Sequence, residues 1–449
     1  WAIDAAGNAD YCESYIIVQD NLGSCSGGNP VALAGALKTA GQEGIEEASV
    51  YVEGSSPWTP NFSAVDMSNT DGEYNFLQNI PFGSNFTITP KRDDNPLNGV
   101  TTYDLVLISK HILGLEPLNS PYKMIAADAN RSGSITTFDV VEIRKLILGI
   151  YQELPNNDSW RFVDKSFVFP NVNNPFQTSF PEQIVVDTFL SNLWGQDFIG
   201  VKVGDVNLSA VPNLLSPAEE RNQGVAILDL SLTPGPSPEG EGSVDRSVAA
   251  GEELEVTFTA AQELQGFQFT LLQDGLKTIG VKETEGVTTA NFGTIFEGAT
   301  TVSVDGAQSF TLRMRAEKAG KLSEMLGVSG AITRAEAYGD EGRLNVALRF
   351  KSQEGATVSG VGFELYQNQP NPFKTKTTIG FYLPSAAEAT LSIVDESGRV
   401  VYRQKSWFAA GENQVLLDAS LLQQGAGVLY YTLETEHNSA TRKMVKVNE

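Results

Sequence analysis

Side chains that carry enzyme chemistry are scarce in this sequence. Its 449 residues include only two cysteines and two histidines, and the histidines, His111 and His437, lie far apart with no serine or cysteine nucleophile motif nearby. The motifs GxSxG, HExxH and CxxC and the phosphate-binding loop are also missing. Acidic residues are abundant, so composition alone does not exclude a glycosidase-like carboxylate pair. We nevertheless predict that this segment is not an enzyme.

Long apolar runs and an excess of positive charge are missing as well. No stretch of 18 or more apolar residues occurs, so we expect no membrane-spanning helix. The chain has 31 Lys and Arg against 55 Asp and Glu, a net charge of −24. Nucleic-acid binding depends on Lys and Arg that neutralise phosphates, so this composition argues against a nucleic-acid partner.

The two cysteines, Cys12 and Cys25, lie near the start of the chain. In an oxidising compartment they would bridge each other, or Cys12 would pair with a cysteine outside this segment, and the sequence leaves both pairings open. The chain begins at Trp1 with neither a methionine nor a signal peptide, in what resembles the middle of a strand. We expect it to be the C-terminal piece of a longer precursor.

The most specific polar motif is DANRSGSITTFD at residues 128–139. Asp128, Asn130 and Ser132 occupy its first, third and fifth positions, Gly133 the sixth and Asp139 the twelfth. Oxygen ligands at this spacing wrap a calcium ion when a glycine permits the sharp turn between them. The alternative is an ordinary polar turn that caps a helix, because Asp, Asn, Ser and Gly are all turn residues.

Part of this pattern occurs twice. The segments DLVLISKHILGL from Asp104 and DVVEIRKLILGI from Asp139 share apolar residues at helical spacing, and each has a glycine where the helix should end. The repeat predicts two loop–helix units that pack face to face.

Duplicated loops that end in Asp resemble the dockerin family. The resemblance implies bound Ca²⁺ and a module that binds cohesin-like domains. In the second loop it implies the side-chain ligands Asp128, Asn130, Ser132 and Asp139, with the carbonyl of Ser134 and a water-mediated Thr136. In the first loop, DDNPLNGVTTYD, it implies Asp93, Asn95 and Asp104, but this loop departs from the pattern because Leu97 cannot act as a ligand.

A third fragment, GDVNLSA at residues 204–210, is similar to the opening half of a calcium loop. We suggest that Asp205, Asn207 and Ser209 complete the deficient first loop in space. The alternative is a polar turn that leads into a linker.

The rest of the chain consists mostly of short alternating strands between turn residues. We expect a multidomain, mainly β fold of immunoglobulin-like or prealbumin-like sandwiches with one small α-helical dockerin-like calcium-binding module. By resemblance, the modules expected before residue 354 are a hyalin-repeat-like tail at 1–21, a carboxypeptidase-regulatory-like sandwich at 30–91, the dockerin-like module at 92–212 with an insertion at 151–203, and a cohesin-like sandwich at 224–353. We expect the aromatic side chains Trp160, Phe162 and Phe167 in the insertion to serve packing.

The C-terminal segment 363–449 contains QPNPF, a DESGRVV hairpin and a basic RKMVKV end. Its alternating runs predict a seven-stranded antiparallel sandwich. It resembles the type A C-terminal sorting domain of type IX secretion cargo. The resemblance implies a Bacteroidota-type bacterium, export across the outer membrane by the type IX machinery, and either cleavage of the domain or attachment at the cell surface.

Two functions fit these features. The first is a secreted or cell-surface structural or adhesive protein with calcium-stabilised modules, and we favour it. The alternative is the accessory C-terminal region of a large secreted enzyme, such as a carbohydrate-active hydrolase. The sequence leaves three arrangements open: a dockerin–cohesin-like contact within the chain, such a contact with a neighbouring copy, or two modules that do not contact each other.

Overall fold

The computed structural model describes residues 2–3, 9–10, 32–56, 61–77, 80–81, 83–213, 224–232, 245–340, 342–352, 355–422 and 427–447. Near its start, β1 (Ala2–Ile3) and β2 (Ala9–Asp10) form an antiparallel pair. Both cysteines and most of the tail expected at 1–21 lie outside the described residues.

The first sandwich consists of two four-stranded sheets. Its strands are β3 (Ala32–Thr39), β4 (Ser49–Ser55), β5 (Phe62–Met67), β6 (Glu73–Leu77), β7 (Asn85–Lys91), β8 (Trp160–Asp164), β9 (Ile184–Val186) and β10 (Phe198–Lys202). One sheet has the order β6-β3-β10-β8 and the other β5-β4-β7-β9. Alternate side chains of β6 and β7 are buried, as expected for strands with one face on a core.

Strands β8, β9 and β10 come from the insertion at 151–203 and complete both sheets. We expected this segment to elaborate the helical module, but β10 pairs in parallel with β3 and antiparallel with β8. Trp160 and Phe162 are buried in the sandwich core, and Phe167 packs against the helical core, so their expected packing role is confirmed. A boundary at residue 91 therefore does not separate two independent cores.

Three helices, α1 (Thr102–Ile112), α2 (Pro121–Ala127) and α3 (Thr137–Ile147), lie between β7 and β8. The repeated helices α1 and α3 share one apolar core, to which Leu105 and Ile143 belong. Each is followed by a glycine with a positive φ, 70° at Gly114 and 71° at Gly149. The predicted face-to-face pair and its glycine stops are confirmed.

The second sandwich, residues 224–361, is built on an 11-stranded sheet. Its elements are β11 (Val225–Leu232), β12 (Ser247–Val248), β13 (Glu253–Ala260), β14 (Gly266–Gln273), β15 (Leu276–Lys282), β16 (Phe292–Gly293), β17 (Ala299–Asp305), β18 (Ser309–Ala316), β19 (Gly320–Lys321), α4 (Leu322–Met325), β20 (Leu326–Ser329), β21 (Glu336–Gly339), β22 (Gly342–Ser352) and β23 (Gly355–Gly360). The main path is β15-β18-β13-β11-β22-β21-β14-β17-β16, with β20 on β14 and β23 on β22. The sheet encloses one core, in which Phe258 and Phe310 stack at 4.6 Å.

The last unit has a three-stranded sheet, β24-β25-β28, packed on a four-stranded sheet, β27-β26-β29-β30. Its strands are β24 (Glu364–Leu365), β25 (Lys376–Leu383), β26 (Ala387–Asp395), β27 (Val400–Phe408), β28 (Gly411–Asp418), β29 (Gly427–Glu434) and β30 (Ser439–Lys446). All pairings between these strands are antiparallel, so the predicted seven-stranded antiparallel sandwich is confirmed. Within the described residues, no helix has the length and apolar character needed to cross a membrane.

Candidate metal centres and a contact between units

The loop at 128–139 folds its two carboxylates toward each other at the start of α3. Asp128 Oδ1 accepts a hydrogen bond from the Ser132 amide at 2.8 Å, and its Oδ2 accepts from the Gly133 amide at 3.0 Å. Asp139 Oδ1 accepts from the Asn130 amide at 3.2 Å. Both carboxylates are buried. The structure thus places the first, third, fifth and twelfth loop residues around one small volume.

The remaining two predicted ligands of this loop have other contacts. Thr136 is the N-cap of α3: its side chain accepts from the Phe138 amide, and Asp139 Oδ2 accepts from the Thr136 amide at 2.8 Å. The carbonyl of Ser134 accepts from Ser132 Oγ at 3.3 Å. The capping turn that we considered as an alternative is therefore present, and it coexists with the convergence of the carboxylates.

A second site with two carboxylates is assembled from two distant segments, Asp104 and residues 204–210. We call this site and the loop at 128–139 the two cradles. Asp104, buried at the start of α1, accepts from the amides of Val206 and Asn207 at 2.9 and 3.1 Å. Asp205 accepts from the amides of Ser209 and Ala210 at 3.1 and 2.8 Å. The segment 204–210 therefore lies against Asp104, where our completed first loop requires it.

The two cradles match residue by residue. In each, the twelfth-position Asp accepts from the amide of an Asn, Asn130 or Asn207, at 3.2 or 3.1 Å. The residue after that Asn is left-handed in both, with φ of 57° at Arg131 and 65° at Leu208. Non-glycine residues rarely adopt this conformation, so its recurrence at equivalent positions indicates the same loop geometry.

Asp93 and Asn95 are placed differently from this cradle. Asp93 Oδ1 accepts from the Ser159 amide at 2.8 Å, which ties the loop to the insertion. Asn95 has a φ of 43°, and its carbonyl accepts from the Asn98 amide at 3.0 Å. Within the described residues, no hydrogen bond joins either residue to Asp104.

Burial and mutual repulsion disfavour the ionised carboxylates when no cation is present. Burial, followed by the charge of Asp205, raises the pKa of Asp104 to about 8. Burial also raises the pKa of Asp205 and of Asp128. Nearby, the buried ammonium of Lys202 donates to the Pro96 carbonyl at 2.7 Å, and burial lowers the pKa of Lys202 to about 8.

Oxygen atoms dominate both cradles, which suits a hard cation such as Ca²⁺. Each offers two carboxylates, and in the described part of the chain no three or more His, Cys, Asp or Glu side chains cluster as a metal site. Further ligands would therefore have to come from Asn and Ser side chains, backbone carbonyls and water. Asn130 with Ser132 and Asn207 with Ser209 lie at the positions that supply them.

Helices α1 and α3 also contact the second sandwich. Thr102, two residues before Asp104, donates its amide to Gln268 Oε1 at 2.7 Å, and its hydroxyl lies 2.7 Å from that of Ser303. Tyr103 stacks on Tyr338 at 5.3 Å. The first turn of α1 therefore belongs both to a candidate ion site and to an interface between units.

The end of α3 contributes to the same interface. Thr301 donates its hydroxyl to the Leu148 carbonyl at 2.9 Å, and Arg144 pairs with Asp305. Sequence reasoning missed Gln268, Thr301 and Ser303 as interface residues, because polar positions in a strand pattern normally predict a solvated face.

Comparison with known proteins identifies the C-terminal unit. Residues 368–447 match the family described as secretion system C-terminal sorting domain. The match indicates export across the outer membrane, to the cell surface or the extracellular space, and handling by the type IX secretion machinery. No curated protein matches the chain.

Solved structures resemble the chain only distantly. The dimeric latent PorU from Porphyromonas gingivalis is 9% identical with a TM-score of 0.19, covering 90% of this chain and 30% of that one. BcpA, the major pilin subunit of Bacillus cereus, is 8% identical with a TM-score of 0.18, covering 93% and 98%. A tetra-tandem repeat from the extending region of a large adhesion protein is 9% identical with a TM-score of 0.14, covering 93% and 73%. Likenesses at these scores carry no argument about function.

Proposed function

We propose that this chain is a type IX-secreted structural or adhesive surface protein whose helical module binds two calcium ions. One ion lies in the loop at 128–139 and the other in the split cradle of Asp104 and Asp205. The observation that carries the proposal is the match between the cradles, each with two buried carboxylates and a left-handed residue at the same position.

A capping role alone does not account for the split cradle. A capping box at the start of α1 requires Thr101 and Asp104, and both of its hydrogen bonds are local. It does not require Asp205, whose buried carboxylate makes ionisation of Asp104 unfavourable. A divalent cation between the two would offset this repulsion, and a cation in the loop at 128–139 would offset the burial that raises the pKa of Asp128.

An ion in the split cradle would cross-link two distant segments of the chain. Asp104 and Val206, which the cradle brings together, are 102 positions apart in the chain. Cross-links that close long loops restrict the unfolded chain most strongly. Calcium would therefore hold the ends of the segment that supplies α2, α3, β8, β9 and β10, and with them much of the first sandwich.

We further propose that the contact between the helical module and the second sandwich is a dockerin–cohesin-like contact within one molecule. Thr102 and Asp104 share one helical turn, so an ion held by Asp104 would orient the amide that donates to Gln268. The largely buried Arg144–Asp305 pair and the Tyr103–Tyr338 stack support a stable rather than a transient contact. The ions, on this view, stabilise a surface protein and serve no reaction.

Calorimetric titration of the chelator-stripped full chain tests the calcium sites. We expect two binding events, with Asp128→Ala and Asp205→Ala each removing a different one, because each deletes a carboxylate from one cradle. Asp93→Ala is the matched control: a continuous first loop needs this residue as a ligand, whereas the split cradle does not. Loss of a site in Asp93→Ala together with two intact sites in Asp205→Ala would refute the split cradle.

A further inference from the structure

One sheet of the sorting sandwich is covered by the rest of the chain. Tyr382 on β25 belongs to the core of the second sandwich, and Glu364 accepts from the Gly330 amide at 3.0 Å. On the same sheet, Lys376 pairs with Glu46 of the first sandwich at 2.7 Å. A molecule that recognises the folded, full-length protein therefore meets the opposite sheet, β27-β26-β29-β30.

The outward face of that opposite sheet combines aromatic side chains with charged ones of both signs: Lys405 pairs with Glu388 at 2.8 Å, and Glu434 lies on the same face. Trp407 is 72% exposed and Tyr430 is 39% exposed. Arg403, Lys405 and Trp407 alternate along β27, which places them on one face, and Lys443 lies opposite Tyr430 in the neighbouring pair of strands. An exposed tryptophan beside Arg403 and the Lys405–Glu388 pair fits a protein-binding surface better than a purely solvated face.

The same sheet has one covered and one open edge. Along β30, the Phe373 amide donates to the Val445 carbonyl at 3.0 Å, and the Val447 amide donates to the Phe373 carbonyl at 2.9 Å. Within the described residues, β27 pairs with β26 and with no other strand. Its outer N–H and C=O groups are therefore available to an added strand, while Arg403 and Lys405 discourage pairing with a second copy.

Charge indicates what kind of strand would be accepted. Residues 363–447 contain eight basic and eight acidic side chains, so the net charge of −24 lies in the rest of the chain. An acidic segment would be repelled by the body of the protein; at the edge of β27 it would meet Arg403 and compete with Glu388 for Lys405, while Lys443 lies on β30 at the opposite edge. Lipid headgroups typically need clusters of about 4 to 8 Lys and Arg, which this face does not supply.

We propose that β27 accepts an extended acidic segment of the type IX export machinery as an added strand. Main-chain hydrogen bonds would supply affinity, with Trp407 as the anchor, Arg403 paired to a carboxylate, and Lys405 released from Glu388 to pair with a second one. The inference rests on the sorting function of residues 368–447 and names the surface that carries it.

Export of the full chain from a host with a working type IX system tests the surface. We expect Arg403→Glu/Lys405→Glu to lower the exported fraction at least tenfold, and Trp407→Ala to lower it severalfold, both with unchanged melting temperatures. The matched controls are Trp194→Ala, which removes another exposed tryptophan, and Lys277→Glu, which reverses an exposed charge on β15. Normal export of both β27 variants would overturn the proposal.

A backbone test separates strand addition from recognition of side chains alone. Of two adjacent strand residues, one N–H faces β26 and the other faces the open edge. Proline removes the backbone N–H of its position, so of Gln404→Pro and Lys405→Pro the variant that loses less stability should be the one that lacks the N–H facing the open edge. That variant should be exported less than Lys405→Ala. Export at the level of Lys405→Ala would rule out an added strand. Deletion of 363–449 tests the sorting function independently, because continued export of that deletion would refute the function itself.

Discussion

Asp104 takes part in two structures that meet at the start of α1. Its Oδ2 closes a capping box with Thr101 at 2.9 Å, while its Oδ1 binds the segment that carries Asp205. Because both carboxylates are buried, the unliganded chain holds a proton on Asp104 at pH values where an exposed aspartate is ionised. If the proposed calcium site is correct, the protonation state of Asp104 reports whether the ion is bound.

This shift predicts an unusual pH dependence of stability without calcium. The folded pKa of Asp104, about 8, lies above the ordinary value of 3.8, so the native chain binds more protons than the unfolded chain between those values. The free energy of unfolding in chelator should therefore fall as pH rises from about 4 to about 8, by at most about 1.4 kcal/mol per unit for one proton. The lowered pKa of Lys202 acts with the opposite sign, but above about pH 8.

Thermal melts at pH 5, 6.5 and 8, with chelator and with excess calcium, measure this effect. Calcium should flatten the slope, because the ion binds the ionised carboxylates, and its affinity should rise with pH. Asp104→Asn is the control, since it fixes a neutral side chain at this position and should remove most of the slope. A slope that persists in Asp104→Asn would assign the effect to other groups.

Single residues of the candidate sites could be predicted to different degrees. Asp128, Asn130, Ser132 and Asp139 lie within one short motif, so their convergence follows from local spacing alone. The role of Asp205 required half a motif to be matched across about a hundred residues. Gln268 and Ser303 had no signal, because contacts between units depend on how folded surfaces meet.

At the scale of elements, equivalent residues of the two repeated helices have different surroundings. Tyr103 in α1 and Phe138 in α3 occupy the same repeat position, yet Tyr103 stacks on Tyr338 whereas Phe138 is 73% exposed. The second sandwich thus contacts the first turn of α1 and the C-terminal end of α3, where the Leu148 carbonyl accepts a hydrogen bond from the Thr301 hydroxyl. Two helices of similar sequence therefore contact the second sandwich through different ends.

This asymmetry gives a matched pair of substitutions. Tyr103→Ala should weaken the interface and lower the free energy of unfolding by about 1 to 2 kcal/mol, because it removes an aromatic stack and its burial. Phe138→Ala should change it by less than about 0.5 kcal/mol, as for other exposed positions. Hydrogen exchange of β14 and β17 amides locates the effect, which should be faster exchange in the first variant alone. Equal effects of both substitutions would contradict the assignment.

Local elements were predictable and distant pairings were not. The helices α1 and α3 and the strands of the sorting sandwich follow from apolar periodicity within a few residues of each turn. The parallel pairing of β10 with β3 joins residues such as Phe198 and Leu37. Nothing in either strand specifies its partner, so the insertion was assigned to the helical core alone, whereas its residues contribute both to that core and to the first sandwich.

At the scale of the whole molecule, each described unit contacts another, and the sorting unit contacts both sandwiches. The helical module touches the second sandwich through Thr102, the second sandwich holds Tyr382 of the sorting unit, and Lys376 of the sorting unit pairs with Glu46 of the first sandwich. The junction before the sorting unit forms β23 on β22. This pairing integrates the sorting unit into its neighbour.

Deletion of residues 363–449 tests both the sorting function and this integration. The truncated protein should stay inside the cell envelope, because the sorting domain is lost. It should still fold and still bind two calcium ions, since both cradles lie within residues 93–210. Its second sandwich should lose about 1.5 to 3 kcal/mol of stability, because the side chain of Tyr382 no longer covers the core.

The control for the deletion is Tyr382→Ala in the full chain, which should show a similar loss of stability with normal export. Export and stability are then separate readouts: the deletion should alter both, the substitution only the second. Differential scanning calorimetry with and without calcium measures the stability of each unit, and fractionation of cells measures export. A truncated protein as stable as the full chain would mean that the sorting unit is only tethered. In that case its β24-β25-β28 sheet would also be open to the export machinery, and the choice of β27 as the recognised edge would lose its first argument.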